Sequence, residues 1–207
     1  MLRYKGGWSP SKKDATHHPV IRAEGQPVPE YHRASVSGGT FFFTVVTYRR
    51  YPFFAEESAI TSLQRCFQIV MSEYPYAMDA IVILPDHLHC IWTLPDNDSD
   101  FSTRWKLIKA TFTKNYSGSK AQNVSESMRS KGEGGIWQRR FWEHMIRDQK
   151  DFSRYCDYIH YNPVKHGYVN LPIEWKHSSF GEFVEKRYYP ENWGRTVSKE
   201  VVAMKVE

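Results

Sequence analysis

The sequence contains few cysteines, no long apolar run and no secretory signal. Its three cysteines, Cys66, Cys90 and Cys156, are far apart, which argues against a disulfide framework or a cysteine zinc cluster and favours a reducing cytoplasm. No window approaches the roughly 18 consecutive apolar residues of a membrane-spanning helix. The N-terminus, MLRYKGGWSPSKKDATHH, has no apolar core of a signal peptide. We therefore expect a cytoplasmic protein without a membrane partner.

The composition instead fits a folded domain that could meet a polyanion. Hydrophobic residues make up 41% and charged residues 25% of the 207 residues, which excludes a fibrous or wholly disordered chain. The net charge of +5 suits a nucleic acid as partner, although many basic proteins bind none. Aromatic residues, at 15%, could stack on unpaired bases, but core packing is their commoner use.

The chain divides into segments of different character. Residues 1–30 hold four prolines and no apolar periodicity, so we expect a disordered N-terminal extension. Residues 31–170 carry the patterns of a folded domain, interrupted at about 117–135 by a polar insertion, rich in Ser, Lys and Gly, that should be flexible. Residues 171–207 show aromatics and turns without clear periodicity, and we treat them as a C-terminal tail.

Alternating strand and helix patterns predict the architecture. Pro85 and Asp86 predict a tight hairpin between the second and third strands, and Pro163 should end the last helix. The order predicts an α+β fold, a ferredoxin-like βαββαβ sheet with helices on one face and an additional C-terminal helix on the other. The predicted elements, in chain order, are strand 40–47, helix 57–73, strand 78–84, strand 87–93, helix 102–116, strand 136–146 and helix 148–162.

Two histidines on one strand are the first candidate site residues. His87 and His89 lie on the same face, about 7 Å apart along the strand, because side chains alternate with period two. Each imidazole could offer a neutral nitrogen to a divalent ion. The pair alone is weak evidence, since surface or cross-strand histidines also occur at this spacing.

The last predicted helix carries a complementary set. Arg154, Tyr158 and Asn162 follow one another at intervals of four residues, so they share one stripe of the helix. A phenol, with an ordinary pKa of about 10, is a poor nucleophile at neutral pH. A metal ion on the attacked phosphate would supply the missing activation, and Asn162 could offer that ion an amide oxygen.

Three aspartates after the third strand, Asp96, Asp98 and Asp100, raise the question of a calcium site. An EF-hand loop needs Gly at its sixth position and Glu at its twelfth, where this chain has Phe101 and Leu107. We therefore expect no calcium site, and we expect these aspartates to cap the following helix and to interact with its positive end.

Four sequence blocks resemble one known family. They are PDHLHCIWTLP (85–95), FSTRWKLIK (101–109), IWQRRFWEHMIR (136–147) and DYIHYNPVKHGYV (157–169). In this order they resemble the REP-associated tyrosine transposases, a branch of the single-tyrosine HUH transposases, over about residues 31–194. The extension 1–30 and the insertion 117–135 are long for this family.

The resemblance implies a function and a role for each candidate residue. It implies a metal-dependent enzyme that cleaves and rejoins single-stranded or hairpin DNA at REP-type palindromes through a 5′-phosphotyrosine intermediate. Tyr158 would be the nucleophile, with Tyr161 as its chief rival. His87, His89 and Asn162 would hold Mg²⁺ or Mn²⁺. The oligomeric state stays open between a monomer and a homodimer.

Basic residues in and around these blocks are candidates for contacts with DNA phosphates. The nearby Trp105 and Trp142 are better explained as packing residues. An enzyme acting on chromosomal DNA would work in the cytoplasm, at the nucleoid. The candidate DNA-binding residues are Arg104, Lys106, Lys109, Arg139, Arg140, Arg147, Arg154 and Lys165.

Two other functions remain open. A ferredoxin-like sheet could bind hairpins without cutting them, although binding alone needs no set of two histidines, a tyrosine and an asparagine. A plain metal-dependent nuclease would use water as nucleophile and leave Tyr158 with a structural role. A covalent protein–DNA adduct is the product that distinguishes these functions.

Overall fold

The computed structural model of the protein describes residues 36–116, 134–195, 197, 199–204 and 206. The expected N-terminal extension, 1–30, and residues 117–133 of the expected insertion lie outside these residues, and both expectations stay predictions. Within the described ranges, no helix is long and apolar enough to cross a membrane.

The described residues alternate strands and helices in the expected order. Short 3-10 turns at Tyr48–Arg50, Phe53–Ala55 and Pro172–Glu174 lie between them. The strands are β1 (Thr40–Val46), β2 (Ala77–Ile83), β3 (His87–Thr93) and β4 (Trp142–Met145). The helices are α1 (Glu57–Glu73), α2 (Phe101–Asn115), α3 (Gln149–Lys165), α4 (Phe180–Glu185) and α5 (Lys199–Ala203).

One antiparallel sheet organises these elements, in the strand order β2-β3-β1-β4. β1 pairs with β3 along its whole length and with β4 on its other side. Every residue of β1 is buried, as its apolar and β-branched residues on both faces predict. The α+β, ferredoxin-like βαββαβ arrangement expected from the sequence is confirmed.

Helices cover both faces of the sheet. α1 and α2 pack on one face, where the rings of Trp92 and Trp105 stack with centroids 4.3 Å apart. Trp105 is fully buried, so its expected packing role is confirmed. α3, the additional helix, packs on the opposite face against Phe42 and Ile91. The central strands β1 and β3 therefore present alternate side chains to two different layers.

The strand expected over 136–146 is shorter than predicted. Only Trp142–Met145 pair with β1, and Trp137 makes one isolated bridge to Thr47. Residues 138–140, Gln-Arg-Arg, are exposed. They therefore give this edge of the sheet no apolar side chains to bury, and a strand there gains little from packing.

The helix that was expected to end at Pro163 continues through it. α3 runs to Lys165 with Pro163 inside the helix. The end is a Schellman motif, in which Tyr168 N–H donates to Pro163 O and Gly167 N–H donates to Val164 O. Gly167 has the positive φ of 72° that this ending requires. Gly167 is therefore the better sequence signal for the helix end, and the extra residues place Lys165 on α3.

One buried histidine makes the stability of the fold depend on pH. His160 on α3 is fully buried, and its Nε2 lies 2.9 Å from Ser179 Oγ, which accepts a hydrogen bond from Ile81 N–H of β2. Burial lowers the pKa of His160 to about 3. The folded protein therefore binds fewer protons at this ring than the unfolded chain, in which a histidine has a pKa of about 6.5.

We expect His160 to weaken the fold in acid. Its contribution to the free energy of unfolding is complete above a pH of about 6.5 and falls as the pH drops toward about 3, because the core accommodates only the neutral ring. Denaturant titrations at several pH values should show a steeper loss of stability for the wild type than for His160→Asn. Equal pH dependence in the two proteins would contradict this assignment.

Candidate active site

The two candidate histidines lie side by side on the α3 face of the sheet. His87 and His89 are both on β3 and both completely buried. Their ring centroids are 4.9 Å apart with the planes nearly perpendicular. The period of the strand brings them to one face, as expected, and the cover provided by α3 removes them from solvent.

Asp86 fixes the orientation of His87. Its carboxylate lies 2.6 Å from His87 Nδ1 and also accepts a hydrogen bond from Arg50. Burial alone would raise the pKa of Asp86, but the hydrogen bond and charge of His87, followed by those of Arg50, outweigh it and lower the pKa to about 2. In the neutral form of His87, Nδ1–H donates a hydrogen bond to this ionised carboxylate, and the lone pair is then on Nε2.

Thr44 fixes the orientation of His89. The Thr44 hydroxyl donates its proton to the carbonyl oxygen of Val206, at 2.7 Å, and lies 2.9 Å from His89 Nδ1. Since the hydroxyl proton is already engaged, Nδ1–H of His89 is the donor in the second contact. The lone pair of His89 therefore lies on Nε2, the nitrogen suited to a metal ion.

A single stripe of α3 faces the two histidines. The ring of Tyr158 meets His89 at 5.2 Å between centroids, and two turns later the ring of His166 meets His87 at 5.2 Å. Asn162 lies midway between these two contacts on the same stripe and is completely buried. Its side-chain amide therefore faces the histidine pair.

Two buried side chains of this site have polar atoms without a hydrogen-bond partner among the described residues. His87 Nε2 and the amide oxygen and nitrogen of Asn162 make no hydrogen bond to any residue that the structure describes. A buried polar atom without a partner costs roughly 1–3 kcal/mol, so such a set fits a ligand that completes it. No cluster of three His, Cys, Asp or Glu side chains suited to a metal ion occurs in the described ranges, so a third protein ligand would be the Asn162 amide.

Tyr158, not Tyr161, is the tyrosine beside the histidines. Tyr158 is 1% exposed, and the ammonium of Lys165 donates a hydrogen bond to its phenol oxygen at 3.2 Å. Tyr161 is rotated off this stripe, and its ring meets Trp193 at 6.5 Å between centroids. The ammonium of Lys165 thereby places a positive charge next to the phenol oxygen of Tyr158.

Arg104 is a structural residue. Its guanidinium is 2% exposed and donates to the carbonyl oxygens of Tyr74, Pro75 and Asp100 and to the carboxylate of Asp98. It thereby ties the start of α2 to the end of α1. A buried guanidinium satisfied in this way offers no donor to a phosphate, and we omit Arg104 from the proposed DNA contacts.

The remaining cations form two groups. Lys106 is exposed on α2, and Lys109 donates from Nζ to the carbonyl oxygen of Gln138, next to the exposed Arg139 and Arg140. This group lies with the helices of the other face of the sheet. Lys165 belongs to the histidine face, because its Nζ contacts Tyr158.

Arg147 and Arg154 also lie on the histidine side of the sheet. Both guanidinium groups bind the buried carboxylate of Asp151, which also lies 2.8 Å from His144 Nε2. Burial acts to raise the pKa of Asp151, but hydrogen bonds from His144 and Arg147 outweigh it and hold the pKa below its usual value. Trp142, expected to pack, is 39% exposed on β4, an edge strand of the sheet.

Three parts of the site were not predicted from the sequence. Asp86 directly precedes the histidine pair, so its position was a usable signal for an orienting carboxylate. Thr44 pairs with His89 across the sheet, which no local pattern reveals. The third part is the C-terminal segment 199–206, which gave no clear periodicity.

This C-terminal segment packs against residues of the site. Val201 is 2% exposed in the apolar cluster that contains Tyr158. The carbonyl oxygens of Met204 and Val206 accept hydrogen bonds from Lys165 and Thr44. The segment therefore packs in the same layer as Tyr158, which is 1% exposed.

Displacing the segment should expose Tyr158. We expect Val201→Asp to release α5, because a buried carboxylate is costly without a partner, whereas Val202→Asp should not, since Val202 is 46% exposed. Nitration by tetranitromethane, located by mass spectrometry, measures the accessibility of each tyrosine, with the 69% exposed Tyr188 as internal reference. Equal protection of Tyr158 in both folded variants would contradict this expectation.

Comparisons with known proteins identify relatives of the chain. No family model matches the chain. It is 40% identical to a REP-associated tyrosine transposase of Haemophilus influenzae over 164 residues, which are 79% of this chain and 92% of that protein. It is also 40% identical to the REP-associated tyrosine transposase of Escherichia coli K12 over 170 residues, 82% of this chain and 93% of the relative.

A solved structure is similar over nearly its whole length. A REP-associated tyrosine transposase bound to a REP hairpin superposes with a TM-score of 0.67 and 38% sequence identity, covering 83% of this chain and 96% of that one. Identity at this level, across almost the full length of the relatives, decides the family. The chain belongs to the REP-associated tyrosine transposases.

Proposed function

We propose that the chain cleaves and rejoins single-stranded DNA beside REP-type hairpins, with Tyr158 as nucleophile. Its family makes it a tyrosine transposase, an enzyme that acts on DNA. The REP hairpin bound to the solved relative supports hairpin DNA as its substrate. Such a substrate would place the enzyme with chromosomal DNA in the cytoplasm.

One observation carries the assignment of the residues. A buried tyrosine contacts a histidine whose neighbour, His87, has an unsatisfied nitrogen, and Asn162 on the same stripe has an unsatisfied amide. Hairpin binding alone gives no reason to bury these polar atoms without partners at a cost of roughly 1–3 kcal/mol each. A site for phosphoryl transfer does, because its charged substrate and cofactor complete the set.

The proposed step exchanges one phosphodiester for another. The Tyr158 oxygen forms a bond to phosphorus, the bond between phosphorus and the 3′ oxygen breaks, and the upstream strand leaves with a 3′-hydroxyl. The phenol proton passes to solvent, and the departing 3′ oxygen takes one up. Because the 5′-phosphotyrosine bond retains the energy of the diester, a 3′-hydroxyl can later reverse the step and join strands.

Lys165 would assist at the phenol oxygen. Its ammonium donates a hydrogen bond there at 3.2 Å, so its charge would stabilise the oxygen as the proton leaves. In strand joining, the same charge would stabilise the phenolate as the phosphate departs. This role differs from the phosphate contact expected from the sequence.

The residues of the site also fit a divalent ion. Tyrosine transposases of the HUH type are generally metal-dependent. We propose that His87 and His89, through Nε2, and Asn162, through its amide oxygen, hold Mg²⁺ or Mn²⁺, since both ions accept mixed nitrogen and oxygen ligands. When bound, the ion would neutralise the charge of the attacked phosphate. Asp86 and Thr44 would keep both imidazoles in the tautomer that such binding needs.

The nucleophile is tested with a matched pair of variants. Tyr158→Phe removes only the phenol oxygen, so the protein should fold and bind hairpin DNA but form no covalent adduct. Tyr161→Phe, three residues away against Trp193, should still form it. Hairpin DNA labelled at the 3′ end should remain on the protein in a denaturing gel, because the tyrosine keeps the 5′-phosphate of the downstream strand.

Other outcomes of this experiment point to other functions. Adduct with Tyr158→Phe but not with Tyr161→Phe would assign the nucleophile to Tyr161. Cut DNA without any adduct from the wild type would indicate a nuclease that uses water, and binding without cutting would indicate a hairpin-binding module.

The metal site is tested by graded changes. His87→Ala and a chelator should each abolish cutting while hairpin binding persists. Asp86→Ala should raise the Mn²⁺ concentration for half-maximal cutting by about 10- to 100-fold, the usual effect of losing the partner of a metal-binding histidine. Arg50→Ala is the control, because Arg50 also binds Asp86. It should change the Mn²⁺ concentration for half-maximal cutting only a little. Full cutting by His87→Ala in chelator would refute the metal assignment.

A further inference from the structure

Trp142 is an exposed aromatic residue at the border of the proposed site. It lies opposite Thr44 in the register of β4 and β1, and Thr44 contacts His89. Its side chain belongs to the histidine face, where its ring meets that of Phe42 at 5.7 Å. The residue is 39% exposed even with the C-terminal segment in place. Tyr158, the proposed nucleophile, is buried, whereas the indole of Trp142 is accessible to a ligand.

The indole ring is held in a defined orientation. It lies parallel to the His144 ring, with 5° between the planes and 6.0 Å between centroids. His144 is itself fixed from below by Tyr155, at 4.6 Å between centroids, and by its contact with Asp151. A preorganised flat surface loses little conformational entropy when a second flat group stacks on it.

Two arginines bind the carboxylate that also contacts His144, the neighbour of this indole. Arg147 and Arg154 have side chains 63% and 37% exposed, and both are anchored by the same buried carboxylate, that of Asp151. Arg154 lies over the ring of Tyr155, 5.3 Å from its centroid, which links it to the aromatic group. Anchored guanidinium groups beside an open indole suit a ligand with a flat base and adjacent phosphates.

The distance to the proposed site matches a short piece of DNA strand. Trp142 is two strands away from His89 across β1, or roughly 10 Å at the usual strand spacing of about 4.8 Å. Successive nucleotides rise by about 3.4 Å in a stacked strand. The indole therefore lies a few nucleotides from the phosphate that Tyr158 would attack.

We propose that Trp142 is a stacking platform for an unpaired base in the single-stranded segment that flanks the hairpin. Arg147 and Arg154 hold the phosphates next to that base. The inference rests on the proposed function, because it takes the flanking strand to run from Trp142 to Tyr158. It assigns a binding role to a residue that its sequence context had favoured as a packing residue.

The test compares hairpins with and without a single-stranded flank. Binding is measured in chelator, so that no cutting occurs, with a blunt hairpin, the same hairpin with a short flank on either side, and flanked hairpins with single abasic positions. Trp142→Ala should weaken binding of the flanked hairpin by about 5- to 150-fold, as expected for the loss of one base–aromatic stack. Binding of the blunt hairpin should be unchanged.

Matched variants separate stacking from a structural effect. Trp142→Phe keeps an aromatic ring and should retain most of the flank-dependent affinity. Tyr188→Ala removes an exposed aromatic side chain from the turn that follows α4. This variant should leave the flank-dependent affinity unchanged. In the wild type, one abasic position in the flank should reproduce the loss caused by Trp142→Ala, and the two changes together should cause no further loss.

Two results would overturn the inference. One is a Trp142→Ala protein that binds the flanked hairpin as tightly as the wild type. The other is an equal loss for flanked and blunt hairpins, which would indicate a general role in the fold or in duplex binding. Failure of the proposed function would appear separately, as absence of the covalent adduct with the wild-type protein.

Discussion

The packing of α3 on the histidine face of the sheet is the constraint on which the site depends. Neither β3 nor α3 carries a complete site, because the histidines are on the strand and the tyrosine and asparagine are on the helix. Contacts of Tyr158 with His89 and of His166 with His87 fix the helix along the strand at two points. Asn162, between them, is thereby directed at the histidine pair. A change of one residue in register would turn this stripe away.

Hydrogen bonds that begin outside the two elements prepare the imidazoles. Asp86 in the β2–β3 hairpin and Thr44 on β1 each occupy an Nδ1 atom. Metal binding at Nε2 requires this arrangement, with the proton of each ring on Nδ1. The low pKa of Asp86, about 2, keeps its carboxylate ionised and able to accept a hydrogen bond from His87 across the physiological range.

The burial of this site strengthens its charge interactions but limits the access of a substrate to it. Charge interactions with a phosphate are stronger where water is excluded, and Tyr158 and the two histidines are almost completely buried. The segment 199–206 contributes to that burial through Val201 and through carbonyl oxygens that bind Lys165 and Thr44. Trp142 and the two arginines beside it stay open at the rim. Under the proposed function, a strand would therefore meet the rim before it reaches Tyr158.

Properties that depend on local backbone geometry could be predicted from the amino-acid sequence alone. The period of a strand brings His87 and His89 to one face, and the period of a helix brings Tyr158 and Asn162 to one stripe. The order of elements then predicted the ferredoxin-like sheet. The burial of Arg104, the exposure of Trp142 and the hydrogen bond between Thr44 and Val206 are seen only in the folded protein. These outcomes rest on contacts between residues far apart in the chain, and no periodicity encodes such contacts.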